Sequence, residues 1–348
     1  MRAIVRDKYG SPDDLELREV ARPMVKSDEV LVRVHASSVN ATDVENLRGT
    51  FAVRMTGPLR PMYKILGSDV AGRVEAVGGN VKQLQLGDEV FGDLSPVECA
   101  FGAFAEYVCV PENALTVKPA SMTFEEAAAV PTAAIVAPQH LRDRREIQPG
   151  QRVLINGAGG SVGPFAVQLA KCFGAEVTGV DSAGKLDMLR SIGADHVIDY
   201  VQEDFTKNGQ HYDLILDIVA YRSVFAYKRA LSPDGTCLLV GGSFARVIQS
   251  MLLRPWNSMT GGKYVGVAFS WEPNRKEDMA FLMELVEAGT VTPVIDKTYA
   301  LSETPEAVRY VEEGHALGKV VIAVRDADGG GLPEAPTTPN QTTGGRTS

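Results

Sequence analysis

The chain has 348 residues, 45% of them hydrophobic and 23% charged, with a formal net charge of −9. That length exceeds what one core supports and implies two domains of ordinary globular composition. Scattered basic residues in an acidic chain exclude a nucleic-acid or anionic-membrane face. The opening MRAIVRDKYG lacks an apolar leader, and no apolar run approaches a membrane span of about 18 residues. Cys99, Cys109, Cys172 and Cys237 show no paired spacing, which implies reduced thiols and a cytoplasmic protein.

Residues 1–5, 15–19, 29–37, 72–77, 89–92 and 105–110 read as short strands between Gly, Pro and Asp turns. Gly67, Gly72, Gly78 and Gly79 mark turns or close backbone approaches. Residues 40–47 have the pattern of a short helix. Residues 50–64 (TFAVRMTGPLRPMYK) form a long, weakly patterned apolar stretch, either a substrate lid or plain packing.

From Ser121 onward the pattern alternates between helix and strand. Ser121 or Thr123 ahead of Glu125 and Glu126 is a helix-start signal, and Pro131 opens a helix over 131–146. Then come a strand at 152–156, a glycine turn, a helix at 162–171, and a strand at 176–180 that ends on Asp181. A further helix and strand reach Tyr200. Beyond it lie strands at 212–217 and 236–240, with a helix at 222–230 between them, and Gly241, Gly242 and Ser243. A strand candidate at 263–270 and an amphipathic helix at 274–287 close the series. This alternation implies a parallel, doubly wound sheet with right-handed crossovers. Residues 292–324 return to the style of the first third and complete its domain. The expected division is 1–122 with 290–326, around 123–289, and a disordered Gly/Pro/Thr-rich tail at 327–348.

The glycine turn carries the clearest chemistry. A dinucleotide needs a tight turn, a backbone without Cβ against its pyrophosphate, and close helix–strand packing. Gly160 and Gly163 stand where the second and third glycines of G-x-G-x-x-G belong, with Ala158 in place of the first. Together with Gly159, Ser161 and Val162 they lead into a helix start, whose free N–H groups hold a diphosphate. The turn follows a strand, precedes a helix and has an acid, Asp181, about 20 residues on, which marks a nicotinamide dinucleotide site.

The landmarks VHASSVNATDVENLRG (34–49), LGSDVAGRVEAVG (66–78), LGDEVFG (86–92), GAFAEYV (102–108), AAAVPTAA (127–134) and GKVVIAV (318–324) flank the 152–200 stretch. In that order the chain resembles the medium-chain dehydrogenase/reductase superfamily, in its zinc-free quinone oxidoreductase (zeta-crystallin-like) branch. The resemblance covers nearly all of residues 1–324. It implies an α/β protein, with a GroES-like β-rich catalytic domain wrapped around a Rossmann domain and the active site between them. It also implies a homodimer.

Zinc alcohol dehydrogenases of this superfamily place a Cys in the segment matching 38–43 and a His in that matching 66–71. Those positions match Asn40 and Ser68, an amide and a hydroxyl that are poor zinc ligands. Cys99 and Cys109 stand apart, no histidine has ligand spacing, and His35 reads as a core histidine. No metal is expected. Without a Lewis acid an alcohol is hard to ionise at neutral pH. The expected substrate is therefore a small electrophile, a quinone or α,β-unsaturated carbonyl, reduced by NADPH or NADH. A zinc-type alcohol dehydrogenase, an enoyl-thioester reductase and a non-catalytic dinucleotide-binding protein are the alternatives.

The resemblance also implies site residues. It puts Asn40 and Asp43 near the nicotinamide and its ribose, although both residues also suit a helix cap. Asp69 either replaces a glutamate of the zinc branch or bonds across the domain interface. Tyr63, on the candidate lid, is a proton donor unless solvent serves. Asp181 favours NADH, because a carboxylate there accepts from the ribose hydroxyls and repels a 2′-phosphate. Lys185 and Tyr200 match a phosphate pocket of the quinone reductase branch, with Ser182 beside them, and favour NADPH. Both dinucleotides stay open at this point. Gly241, Gly242 and Ser243 fit close approach to the nicotinamide, and Lys319 matches a basic residue that touches the cofactor in some relatives.

Overall fold

The computed structural model describes residues 1–55, 57–94, 102–143, 147–242, 248–250, 262–267 and 275–324. Ser243, Cys99, the far end of the 263–270 strand candidate and the 327–348 tail lie outside the described residues.

Seven strands come from the first third: β1 (Arg2–Val5), β2 (Glu16–Glu19), β3 (Glu29–Val39), β4 (Asp69–Val77), β5 (Glu89–Asp93), β6 (Tyr107–Pro111) and β7 (Leu115–Val117). Six follow in the middle: β8 (Arg152–Asn156), β9 (Glu176–Asp181), β10 (His196–Asp199), β11 (Tyr212–Asp217), β12 (Leu231–Leu239) and β13 (Tyr264–Val267). The last two are β14 (Ile295–Ala300) and β15 (Lys319–Ala323). The middle six form a parallel sheet in the order β10-β9-β8-β11-β12-β13. The order reverses between β8 and β11, which is where a doubly wound sheet opens a ligand crevice. A second sheet runs β14-β15-β3-β4-β5-β7, with β6 also paired to β3. The α/β architecture thus agrees with the expected β-rich and doubly wound sheets, and β14 and β15 return to the first sheet.

That return is specific in register: β15 runs antiparallel to β3, with Val320 opposite Val39. β3 is buried along most of its length because it faces two cores. Val30, Val32 and Val34 pack with Val70, Val90 and Ile322, whereas Ala36, with Ala71, Phe91 and Val321, packs against Ala127, Val130 and Ile135 of the other half. Each large apolar side chain so buried contributes about 1.5–3 kcal/mol, so the contact between the halves is part of the core.

Three local outcomes differ from expectation. β4 starts at Asp69 rather than at residue 72, because Gly72 sits inside the strand. A Cβ there would meet the Arg33 carbonyl oxygen at 2.1 Å, so the glycine serves close strand contact and not a turn. Among the described residues of the helix expected over 131–146, Pro131–Pro138 is α-helical and Gln139–Asp143 continues as a π-helical turn. The 50–64 stretch contains a short helix, Phe51–Arg54. Its Phe51, Met55 and Leu59 are 69%, 74% and 90% exposed, which argues against plain packing.

Candidate active site

The dinucleotide turn is built by β8, β9 and the helix Gly163–Cys172. The N–H groups of Gly157 and Ala158 donate to the Val180 carbonyl at 3.0 and 3.1 Å, which ties the turn to β9. Its glycines have different reasons. A Cβ on Gly163 would lie 2.2 Å from the Ala158 carbonyl oxygen, so that glycine is required by helix–strand packing. A Cβ on Gly160 would meet nothing nearer than the Gly157 carbonyl oxygen at 3.6 Å. Gly160 therefore borders open space beside a helix start, the cradle a pyrophosphate needs.

Gly159 is the junction of the turn. Its N–H donates to Asp181 Oδ2 at 2.8 Å, and its carbonyl accepts from the N–H of Gly318 at 3.0 Å. Asp181 Oδ1 accepts from the Ser182 N–H at 2.8 Å and lies 3.7 Å from Lys185 Nζ. The Lys185 stem lies across Gly159, where a Cβ would meet its Cδ at 2.6 Å. The Tyr200 N–H donates to the Asp181 carbonyl at 3.2 Å, and the Tyr200 ring is exposed. Asp181, Ser182, Lys185 and Tyr200 thus share one rim, with the Asp181 carboxylate turned into its own loop. Ser161 and Val162 are half-buried at the start of the helix. Gly241 and Gly242 close the other side, where Cβ atoms would meet the carbonyl oxygens of Ile218 and Val219 at 2.5 Å each.

One residue beyond Gly318, a buried polar network begins. Lys319 Nζ donates to Asn40 Oδ1 at 2.6 Å and to Asp69 Oδ2 at 3.0 Å. Asn40 Nδ2 donates to Asp69 Oδ2 at 2.8 Å and to Ser68 Oγ at 3.0 Å. Ser68 Oγ donates to Asp43 Oδ2 at 3.3 Å. Asp43 Oδ2 also accepts from the Asn40 N–H at 2.9 Å, which caps the helix Ala41–Arg48, and Oδ1 accepts from the Gly67 N–H at 3.0 Å. Asp69 is the hub. Besides Lys319 and Asn40, its Oδ2 takes the Ser38 hydroxyl at 2.5 Å, and its Oδ1 takes the N–H and hydroxyl of Thr132 at 2.9 and 2.7 Å. Thr132 lies in the first turn of the helix Pro131–Pro138, so Asp69 bonds across to the other half of the molecule.

Burial raises the Asp43 carboxyl from 3.8 to about 6, partly offset by the Asn40 and Gly67 N–H groups; Asp69 raises it further and Lys319 lowers it. Two placements stand outside the network. Tyr63 is half-buried on the approach to Ile65, and its carbonyl accepts from Arg6 Nε at 3.2 Å. His35 stacks on Phe124 with ring centroids 4.3 Å apart. Ser38, Thr132 and Gly318 lie within the landmark stretches 34–49, 127–134 and 318–324, but nothing in those stretches assigns them a role. The same holds for Thr42, whose Oγ1 is buried without a hydrogen-bond partner.

Comparison with known proteins matches two families along the chain. Residues 26–120 match the family described as alcohol dehydrogenase GroES-like domain, and residues 192–322 match that described as zinc-binding dehydrogenase. A 2-methylene-furan-3-one reductase of Solanum lycopersicum is 35% identical, covering 92% of this chain and 79% of its own. The Homo sapiens NAD(P)H oxidoreductase RTN4IP1, mitochondrial, is 33% identical over 93% of this chain and 89% of its own. The Escherichia coli quinone oxidoreductase, solved in complex with NADPH, superposes with a TM-score of 0.81 at 25% identity, covering 93% of this chain and all of its own.

The description of the second family names zinc, and the donors here do not fit it. An amide and a hydroxyl stand where ligands would be needed, and the nearby Asp69 carboxylate is saturated. A lysine ammonium sits 3.0 Å from that carboxylate, where it would repel a divalent cation.

Proposed function

The chain belongs to the medium-chain dehydrogenase/reductase superfamily, among its quinone-oxidoreductase-like members, and from that premise we propose an NAD(P)H-dependent oxidoreductase that passes hydride to a quinone or α,β-unsaturated carbonyl without a metal. One observation carries this reading. The Gly318 N–H bonds the dinucleotide turn at Gly159, and Lys319 next to it bonds the Asn40–Asp69 network. The cradle for a pyrophosphate and a polar wall are therefore one residue apart.

A bound dinucleotide supplies the hydride, from nicotinamide C4. The residues of the chain do the positioning. Gly160 leaves room for the pyrophosphate, and the N-terminal end of the helix Gly163–Cys172, with its positive end of the dipole, lies beside it. Asn40 Oδ1 has one lone pair left after Lys319, an acceptor for a ribose hydroxyl or a carboxamide N–H. The orphaned Thr42 hydroxyl is the kind of buried group that a ribose satisfies. Tyr63, on the exposed segment, is our candidate for protonating the substrate oxygen once hydride has arrived, and Asp43 orients Ser68 at the wall. Gly241 and Gly242 border the nicotinamide end.

We assign NADPH as the preferred dinucleotide. The Asp181 carboxylate is engaged by the N–H groups of Gly159 and Ser182 and approached by Lys185. A carboxylate so engaged repels a 2′-phosphate less, and Lys185 and Tyr200 stand on the same rim to receive one. The free thiols of Cys109, Cys172 and Cys237 suit a reducing compartment, which both a cytoplasm and an organelle interior provide. No helix among the described residues is long and apolar enough to cross a membrane.

The test is a matrix of NADH and NADPH against a quinone, an enone and an alcohol, followed by dinucleotide absorbance. Faster NADPH oxidation with the quinone or enone is the expected result. Rates equal to enzyme-free blanks in every cell would sink the proposal, and alcohol-dependent NAD(P)+ reduction would replace it with a dehydrogenase.

A further inference from the structure

Lys319 and Asp69 are both 0% exposed, and their mutual attraction offsets the cost of taking two charges out of water only in part. An ion pair kept for stability alone does not account for a second strong contact, from Lys319 Nζ to Asn40 Oδ1 at 2.6 Å. That contact has a direction. With its oxygen held by the ammonium, the Asn40 amide must present Nδ2 to Ser68 Oγ and Asp69 Oδ2. Ser68 Oγ, now an acceptor from Asn40, turns its own proton towards Asp43 Oδ2. The outcome is one polarised chain of buried groups, from ammonium to amide to hydroxyl to carboxyl. It starts from a fixed positive charge beside Asn40 and Ser68, the two residues that match zinc-ligand positions.

We propose that Lys319 is a positioning residue for hydride transfer: its buried ammonium takes the part that a metal cation plays in zinc dehydrogenases, orienting the Asn40 amide and, through it, the Ser68 hydroxyl at the wall of the reacting pocket. This rests on reading the cleft as a hydride-transfer site. Fully buried, the ammonium does not touch substrate and acts through Asn40. A preorganised positive charge of this kind favours negative charge developing on a nearby carbonyl oxygen, at no cost of reorganisation during the reaction. The same charge reaches Asp43. The charged groups facing that carboxyl are Asp69 on β4, Lys319 on β15 and Arg6 just after β1; Asp69 opposes its ionisation, whereas the two cations favour it, and Lys319 is the one bonded into the network.

Two variants separate charge from hydrogen bonding. Lys319→Gln keeps donors towards Asn40 and Asp69 and removes the charge; Lys319→Met removes both. In each, kcat with the better quinone or enone should fall about tenfold or more, while in Lys319→Gln, which still holds Asn40, NADPH affinity by fluorescence titration stays within about twofold. The pH at which Asp43 takes its proton should also move upward, seen as a shift in the pH dependence of urea midpoints. Wild-type kcat and an unmoved pH dependence in folded Lys319→Gln would overturn the proposal and leave a structural ion pair. Lost NADPH binding in that variant overturns it equally, since the lysine would then act on the cofactor. The stability readout needs no turnover. It therefore judges the lysine even where the wild-type chain oxidises neither dinucleotide, an outcome that counts against the reductase reading alone.

Discussion

Gly318 donates its backbone N–H to the Gly159 carbonyl at 3.0 Å, and the peptide that follows leads directly into the side chain that holds Asn40 and Asp69. The dinucleotide turn and the polar wall are thus suspended from one point, at the start of β15. The point is also conformationally demanding: Gly318 has φ +97°, and a Cβ there would lie 2.4 Å from the Val294 carbonyl oxygen.

Gly318→Ala should therefore damage both sites at once. Strain at such a position costs about 1–3 kcal/mol, and relief requires Gly318 to leave Gly159. Expected are a lower urea midpoint, weaker NADPH binding and a lower kcat together. A variant that loses only stability would show that the two sites do not depend on this junction.

The two glycines of the turn should respond differently. Gly160→Val adds side chain to open space beside the helix start, so dinucleotide binding should be abolished with thermal stability close to wild type. Gly163→Val drives side chain into the Ala158 backbone and should lower stability by several kcal/mol. Unchanged NADPH affinity in Gly160→Val would mean that the turn is structural only.

At the rim, sequence reasoning expects Asp181→Ser to shift preference from NADH to NADPH. The structure changes that forecast, because Asp181 braces the Gly159 and Ser182 N–H groups. Asp181→Ser should weaken both dinucleotides, each by about 1–2 kcal/mol for lost charged hydrogen bonds. Lys185→Met should instead raise the KM for NADPH and leave that for NADH nearly unchanged. Paired KM values for the two dinucleotides decide it. An NADH/NADPH ratio that moves in Asp181→Ser and not in Lys185→Met would reverse the assignment.

How much of this was legible in the sequence depends on the distance between partners. The doubly wound half follows from apolar periodicity and from glycines within a few residues of the elements they join, and the 152–200 stretch announces itself locally. Asn40 and Ser68 were legible as poor metal ligands. What they do instead was not, because Lys319 meets Asn40 from 279 residues away. Asp69 was legible as a residue that either replaces a glutamate or bonds across to the other half, and its bonds to Thr132 are of the second kind; that it is also the first residue of a strand and the hub of the network was not. Asp181 stood in the right place to read a ribose, and only its side-chain direction shows it bonded to its own loop.

Asp43 supplies a pH test. Its carboxyl ordinarily titrates at 3.8 and is lifted to about 6 in the fold, chiefly by burial. The native state therefore binds its proton more tightly than the unfolded chain does. With a raised carboxyl, stability is greatest below the unfolded value, falls as pH rises through the window between the two, and stays lower above it. The penalty at neutral pH is on the order of 3 kcal/mol. Asp43→Asn, neutral throughout and still able to accept from one of the two N–H groups, should lose this dependence. Urea midpoints at about pH 5 and about pH 7.5 measure it, the wild type falling more steeply than the variant. Equal slopes would mean that Asp43 is ionised throughout. The hydroxyl of Ser68 would then face a permanent carboxylate, and the polarised chain from Lys319 would end on a fixed negative charge rather than on a group that can hold a proton near neutrality.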